Sequence, residues 1–353
     1  MKTLFSERFK SARLMKGYSL QDLETVLEKK VSRQALHKYE KGEVIPDSEM
    51  LGHLCNALEV SPDYFFRDKV ISLGEIEYRK LKDFPAKEVN RIVEQTKDYL
   101  ARYLELEEIL ELSSEFINPV GDLKKVETFQ QVEEAAAIVR ERWKIGNGPI
   151  AGVYELLEDN HIKIIEIEAG EDYDGMQTFV NENIPVIVIN KRKINKADRQ
   201  RFTALHELAH LLLPIRHLSE KQRETLCHQF AGALLIHPDV LKKEMGGEKR
   251  LRISVQELGA IKQEYGISMQ AIVMRAKDLN IISQNYCRQF FSMLKMMNWR
   301  VEEPVDYHGC EVSNRFDQLL YRALAQEFIS VSKAASLKNQ KLAEFKSKSL
   351  LAG

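Results

Sequence analysis

Residues 201–214 read RFTALHELAHLLLP, an apolar run with His206, Glu207 and His210 at its centre. The flanking positions Ala204, Leu205, Leu208, Ala209, Leu211 and Leu212 are uncharged, so the spacing predicts a buried helix. Asn195 is the expected N-cap, Asp198 the acidic residue of the first turn, and Pro214 the stop. Two imidazoles and a carboxylate are costly inside a protein unless something satisfies them. Positions i and i+4 lie one turn apart on one helical face, so both rings can meet a single metal ion, with Glu207 beside it. Such a centre needs a third protein ligand and one open position.

A third ligand is not found at the metzincin spacing, where Gly and His would follow His210; Leu213 and Arg216 stand there, and His217 is one residue off. The next helix, SEKQRETLCHQFAGALLIHP, is the better source. Ser219 is placed to cap it and Gln222 to complete a capping box. Glu224, Cys227 and Ala231 share one face, and the two small residues allow close approach to a neighbouring helix, so Glu224 is the expected third ligand. Glu220 reads as a solvated first-turn carboxylate. His228, one turn past Glu224, reads either as a partner behind the ligands or as a stray polar residue. His217, His228 and Tyr265 are candidates for a second oxyanion donor. Two histidines and a glutamate suit zinc, and also admit manganese or iron.

The chain in front of this region has a different pattern. Residues 1–68 read as five short helices opened by Ser19 (with Asp22 as box partner), Ser32, Asp47 and Ser61-Pro62. A helix, a short turn and a second helix with polar residues at its start form the helix-turn-helix pattern. Ser32, Arg33, Gln34, His37 and Lys38 are placed to meet a major groove, and Gln21 a phosphate. This segment closely resembles the lambda-repressor-like (Xre) helix-turn-helix domains, through SLQDLE (19–24), SRQALHKYEKGEVIPD (32–47) and LCNALEVSPDYFF (54–66). The resemblance implies binding to a double-stranded DNA operator, and a homodimer is compatible with it. Charge dissents, since residues 1–66 hold ten Lys and Arg against ten Asp and Glu, a balanced rather than basic domain.

Residues 69–126 hold an amphipathic run expected to be a helical linker, a dimerisation arm, or a helix packed on a neighbour. From 127 to 283 two helices precede HIKIIEIEA (161–169), GMQTFV (175–180) and PVIVIN (185–190), read as a small antiparallel sheet. An edge strand there could hold an extended peptide by strand addition. PVIVINKR, RQRFTALHELAHLLL, ETLCHQFAGALLIHP and YGISMQAIVMRAKDLNII resemble the ImmA/IrrE family of zinc-dependent endopeptidases. The resemblance implies metal ligands His206, His210 and Glu224, Glu207 as general base, and cleavage of a repressor or antitoxin, in trans or within the same chain. The alternative is a regulator whose peptidase fold binds a partner such as a toxin without cutting it. Ala209 stands where Gly is usual, and His228 where Asn is usual.

The expected fold class is therefore mainly α with a small antiparallel sheet, an α+β zincin-like peptidase domain behind an all-α helix-turn-helix domain. Residues 284–353 read as a helical C-terminal region, with its last dozen residues frayed. Four scattered cysteines give no disulfide framework or CxxC metal site. A net charge of -1, no signal-like apolar core and no run of 18 apolar residues point away from membranes and towards the cytoplasm.

Overall fold

The computed structural model describes residues 2–67, 71–74, 85–112, 115–170, 173–247 and 249–350. The chain divides into two compact units. Residues 1–74, 78–114 and 314–353 make the first; 115–313, with 75–77, make the second. Parts of the expected 69–126 linker, including 75–84 and 113–114, lie outside the described residues.

The first unit begins with α1 (Lys2–Met15), α2 (Leu20–Val26), α3 (Arg33–Glu40) and α4 (Ser48–Leu58). The fifth expected helix is a short 3₁₀ turn, Pro62–Phe66. Ser19, Ser32 and Asp47 cap α2, α3 and α4 as their side chains predict. Phe5, Phe9, Leu23, Leu36, Leu54 and Phe65 form the core between them. The amphipathic run becomes α5 (Ala86–Ile109), which packs on α1. Its apolar stripe is thus core; Ile92, Leu100 and Leu106 are fully buried.

In the second unit α6 (Phe129–Arg142) and α7 (Val153–Asp159) precede β1 (Lys163–Ile167), β2 (Gly175–Val180) and β3 (Ile184–Asn190). The strand order is β1-β3-β2, with β2 antiparallel and β1 parallel to β3. The sheet is therefore mixed rather than wholly antiparallel. The physical reason is β3 itself: Pro185 to Asn190 are buried without alternation. A strand apolar on both faces takes the centre, and β1 and β2 become the edges. α8 (Ala197–Leu212), α9 (Glu220–Leu235), α10 (Pro238–Glu244), α11 (Val255–Tyr265), α12 (Met269–Asp278) and α13 (Gln284–Met296) follow.

The N-terminal part of α8 departs from expectation in its cap. Lys196, not Asn195, is the N-cap, and it makes no side-chain cap bond. Asp198 is buried and ion-pairs with Lys262 Nζ at 2.8 Å. Lys262 also meets Glu303 at 2.8 Å. Burial works against its charge, but the two carboxylates outweigh burial and hold the lysine pKa above its ordinary value. Arg201, fully buried, donates to Glu311 Oε1 and to the Ile150 carbonyl, both at 2.6 Å. Glu311 in turn accepts from the backbone N–H groups of Val153 (3.1 Å) and Tyr154 (2.9 Å) at the start of α7. Glu303 does the same for Met269 and Gln270 at the start of α12. Residues 299–313 are thus a strap whose two carboxylates each pair a buried cation and satisfy a helix N-terminus.

The chain then returns to the first unit as α14 (Arg315–Ala325), α15 (Val331–Leu337) and α16 (Leu342–Leu350). The region expected as one tail, 284–353, is thereby split between the units. Tyr103 and Leu106 of α5, and Leu110 that caps it, pack with Phe316, Leu320 and Phe345. Phe345 is 1% exposed, so the expected fraying does not reach it; residues 351–353 lie outside the described residues. At the C-terminal end of α15, Arg67 donates to the Ser336 carbonyl (2.9 Å) and Arg102 to the Leu337 carbonyl (2.8 Å). Asp98 accepts from Arg102 at 2.9 Å and lies 3.8 Å from Arg67.

Glu311→Ala would leave the Arg201 guanidinium buried without its carboxylate and two α7 donors unmet. The expected loss is about 3–5 kcal/mol of unfolding free energy in the second unit. Both tryptophans, Trp143 and Trp299, belong to that unit, so urea denaturation followed by their fluorescence reads it directly. An unchanged midpoint would show that the pair is dispensable.

Candidate functional site

Helices α8 and α9 pack against each other, with Ala209, Cys227 and Ala231 fully buried. His206, His210 and Glu224 are brought together. The two histidine Nε2 atoms are 3.3 Å apart, and Glu224 faces them with one oxygen each, Oε2 at 3.1 Å from His206 Nε2 and Oε1 at 3.3 Å from His210 Nε2. A tetrahedral zinc ion with bonds of about 2.0–2.1 Å spaces its ligands about 3.3 Å apart. The donor set and its spacing therefore fit a zinc ion. The chemistry of the set, two imidazoles and a carboxylate, is also that of a zinc site. Glu207, 2% exposed, follows His206 on the same helix.

His228 belongs to this place too. Its ring lies 4.4 Å from that of His206, and it brings a nitrogen within 4.8 Å of ligand atoms of His206 and Glu224. The contacts with His210 are the shorter ones, at 3.3 Å to His206 Nε2 and to Glu224 Oε1. His228 Nδ1 is 2.6 Å from the Glu224 carbonyl oxygen. A carbonyl only accepts, so Nδ1 carries the proton and the ring steadies the backbone of Glu224.

Tyr173, which the sequence reading did not single out, is within electrostatic reach of Glu207. It is 2% exposed. Its hydroxyl pKa is raised well above the usual value, first by burial and then by the negative charges of Glu207 and Asp174. Asn190, at the end of β3, holds Tyr173 in place. Its side chain accepts from the Ala169 N–H (2.9 Å) and donates to the carbonyls of Gly170 (2.9 Å) and Tyr173 (2.7 Å). Two residues on, Gly175 lets β2 meet α8 closely: a Cβ there would stand 2.8 Å from the Val188 carbonyl oxygen and 3.3 Å from Thr203 Cγ2. The only signal in the sequence was a polar Asn closing an otherwise apolar strand.

Two expected oxyanion donors are elsewhere. His217 lies in the turn after α8, half exposed, with Nε2 3.1 Å from Glu127. Tyr265 is buried at the end of α11, where burial, with Glu264 and Glu244 adding to it, pushes its pKa up to about 12. Its surroundings are those carboxylates and Arg140, not the histidine pair. Sequence order alone did not distinguish a core tyrosine from a site tyrosine. Glu220 is exposed, as expected.

In the first unit α3 buries Leu36 and Tyr39 and exposes Ser32, Arg33, Gln34, His37 and Lys38. The five candidate DNA-contacting residues of this helix are thus all on the surface. Gln21 is exposed at the start of α2 and donates to Glu24 at 2.6 Å. Glu24 also accepts from the Arg33 backbone N–H at 2.9 Å. One carboxylate thereby ties α2 to the N-terminus of α3 and fixes how the exposed helix is presented.

Comparison with known proteins agrees with this division. Residues 9–65 match the family model of the helix-turn-helix, and residues 157–277 match that of the IrrE N-terminal-like domain of peptidase family M78. One similar protein is the SPbeta prophage-derived uncharacterized HTH-type transcriptional regulator YonR of Bacillus subtilis (strain 168). It is 41% identical over 64 residues, 18% of this chain and 57% of that protein. The chain spans little more than half the length of that relative, and the match covers under a fifth of its own. No described helix is long and apolar enough to cross a membrane. The chain joins a helix-turn-helix domain to an IrrE N-terminal-like domain of a metallopeptidase family.

Proposed function

We propose that this protein is a DNA-binding transcriptional regulator whose second unit is a zinc-dependent endopeptidase acting on a repressor or antitoxin protein. The observation that carries the reading is the meeting of His206, His210 and Glu224, with Nε2 atoms 3.3 Å apart and the two Glu224 oxygens 3.1 and 3.3 Å from them, on a helix that also carries Glu207. When bound, zinc supplies a Lewis acid that activates water and polarises a carbonyl. Glu207 takes the proton of the attacking water on its carboxylate and passes it to the leaving amine. Tyr173, in place of His217 or Tyr265, offers the hydroxyl that donates to the developing oxyanion. β2, an edge of the sheet beside α8, supports the reading that an extended peptide pairs there as an added strand.

Elemental analysis of the purified protein is the first test. About one zinc per chain is expected for a three-ligand centre, lost or much weakened in Glu224→Ala. Profiling of new protein N-termini in cells expressing the parent should reveal cut sites in a DNA-binding or antitoxin protein, absent with Glu207→Gln. Metal binding and tight partner capture without any cut would leave the fold as a binding scaffold. On purified substrate, Glu207→Gln should lower the rate about 10²–10⁴-fold, and Tyr173→Phe about 10²-fold in kcat.

The helix-turn-helix domain implies DNA binding, and the exposed face of α3 is the surface that reads it. Lys38→Ala should weaken binding to all sequences alike and reduce the salt slope by about 1, whereas Gln34→Ala should cost about 1–3 kcal/mol on the operator only. Anisotropy titrations across about 50–200 mM salt separate the two. Equal losses on operator and random DNA in Gln34→Ala would remove its base-reading role.

A further inference from the structure

Helix α5 lies outside the segment that matches the helix-turn-helix family, residues 9–65, yet it is seated along that domain at three points. Lys87, Arg91 and Gln95 follow one another at four-residue spacing, so they share one helical face. Gln95 donates to the Met15 carbonyl at 3.1 Å, at the C-terminal end of α1. Arg91 and Lys87 lay their stems over the turn between α1 and α2. A Cβ on Gly17, whose φ is +65°, would stand 3.5 Å from Arg91 Cδ and 3.5 Å from Lys87 Cε. Lys87 Nζ then reaches the first turn of α2, 3.5 Å from Asp22 Oδ2. The N-terminal end of α5 is therefore beside Asp22, the residue that follows Gln21.

Asp22 is a poor neighbour for a phosphate. Its carboxylate completes the cap of α2 by accepting from the Ser19 N–H at 2.8 Å. That bond, then the Ser19 hydroxyl and the Lys87 charge, hold its pKa below the ordinary value. A fixed negative charge next to Gln21 repels the backbone that Gln21 is placed to meet. The domain has no surplus of cations to offset it, with ten Lys and Arg against ten Asp and Glu in residues 1–66. Lys87 supplies one from outside. Its side chain is 60% exposed and that of Asp22 46%, so the pair is a weak surface contact. The ammonium can turn to a phosphate oxygen without stranding a buried charge. We propose that Lys87 contacts the DNA backbone beside Gln21, so that the DNA-binding surface extends from the helix-turn-helix into α5. Arg91 is engaged by Glu88 at 2.8 and 3.1 Å, so it packs the turn and leaves the contact to Lys87. The inference rests on the DNA-binding reading of the first unit and adds to it a contact from outside residues 9–65.

The test is fluorescence anisotropy of the full-length protein on two labelled duplexes, across about 50–200 mM salt. One duplex is of mixed sequence and the other is selected by the protein from a randomised pool. Lys87→Ala should make the slope of log affinity against log salt shallower by about 1 on both. Lys87→Arg should restore it, since either cation meets a phosphate. Lys97→Ala removes a charge from the same helix about 15 Å further along its axis, and should leave the slope as in the parent. An unchanged slope in Lys87→Ala, or an equal change in Lys97→Ala, overturns the contact while DNA binding stands. Weaker binding of Lys87→Ala with the parent's slope gives the lysine a structural role and overturns the contact too. A parent that binds neither duplex overturns both readings.

Discussion

Arg201 places its guanidinium, without solvent contact, among Glu311 and the Ile150 carbonyl. A charge in that position is tolerated only while its partners stay in register. Rotating α8 by one residue, or sliding it along its axis, would strand the guanidinium and take the α7 donors away from Glu311. The helix is thereby fixed in rotation and height, and His206 and His210, little more than one and two turns further on, inherit that placement. Asp198 and Lys262 do the same at the first turn. The placement of the two histidines therefore depends on polar bonds made nearer the other end of the helix, through the 299–313 strap. Such pairs add little net stability over an apolar core, but they permit fewer alternatives.

Much of the candidate site was legible because it depends on short-range periodicity. His206 and His210 are one turn apart on one helix, and Glu224 follows a recognisable cap in the next. Ser219 and Gln222 are found in that relation. Tyr173 was not legible, because it sits in a segment with no period and is delivered by Asn190, 17 residues later. Tyr265 shows the converse problem. A tyrosine on a helical pattern reads the same whether its hydroxyl meets a substrate or lies near two surface carboxylates. The parallel pairing of β1 was hidden for a similar reason, since strand character is local whereas the choice of neighbour is made by which strand needs burial on both faces.

In the first unit the strongest long-range determinants are again arginines at the end of a helix. Arg67 and Arg102 satisfy the last carbonyls of α15, and Asp98 balances them. Neither the composition of the amphipathic run nor that of the tail announces this, since both look like ordinary charged helices. The sequence reading left open a linker, a dimerisation arm or packing on a neighbour for this run; α5 packs on α1, and Tyr103, Leu106 and Leu110 are covered by residues more than 200 positions away.

That separation sets an order for biosynthesis. The helix-turn-helix helices have a core of their own and can assemble as soon as they leave the ribosome. The surface formed by Tyr103, Leu106 and Leu110 has to wait for α14 to α16. During that interval the whole second unit is translated, and an apolar face stays uncovered in the nascent chain. At about 5–20 residues per second the wait lasts on the order of ten seconds or more. Over that time a truncated or stalled chain would present a DNA-reading domain attached to an open hydrophobic face, a form suited to capture by chaperones and proteases rather than to occupancy of an operator.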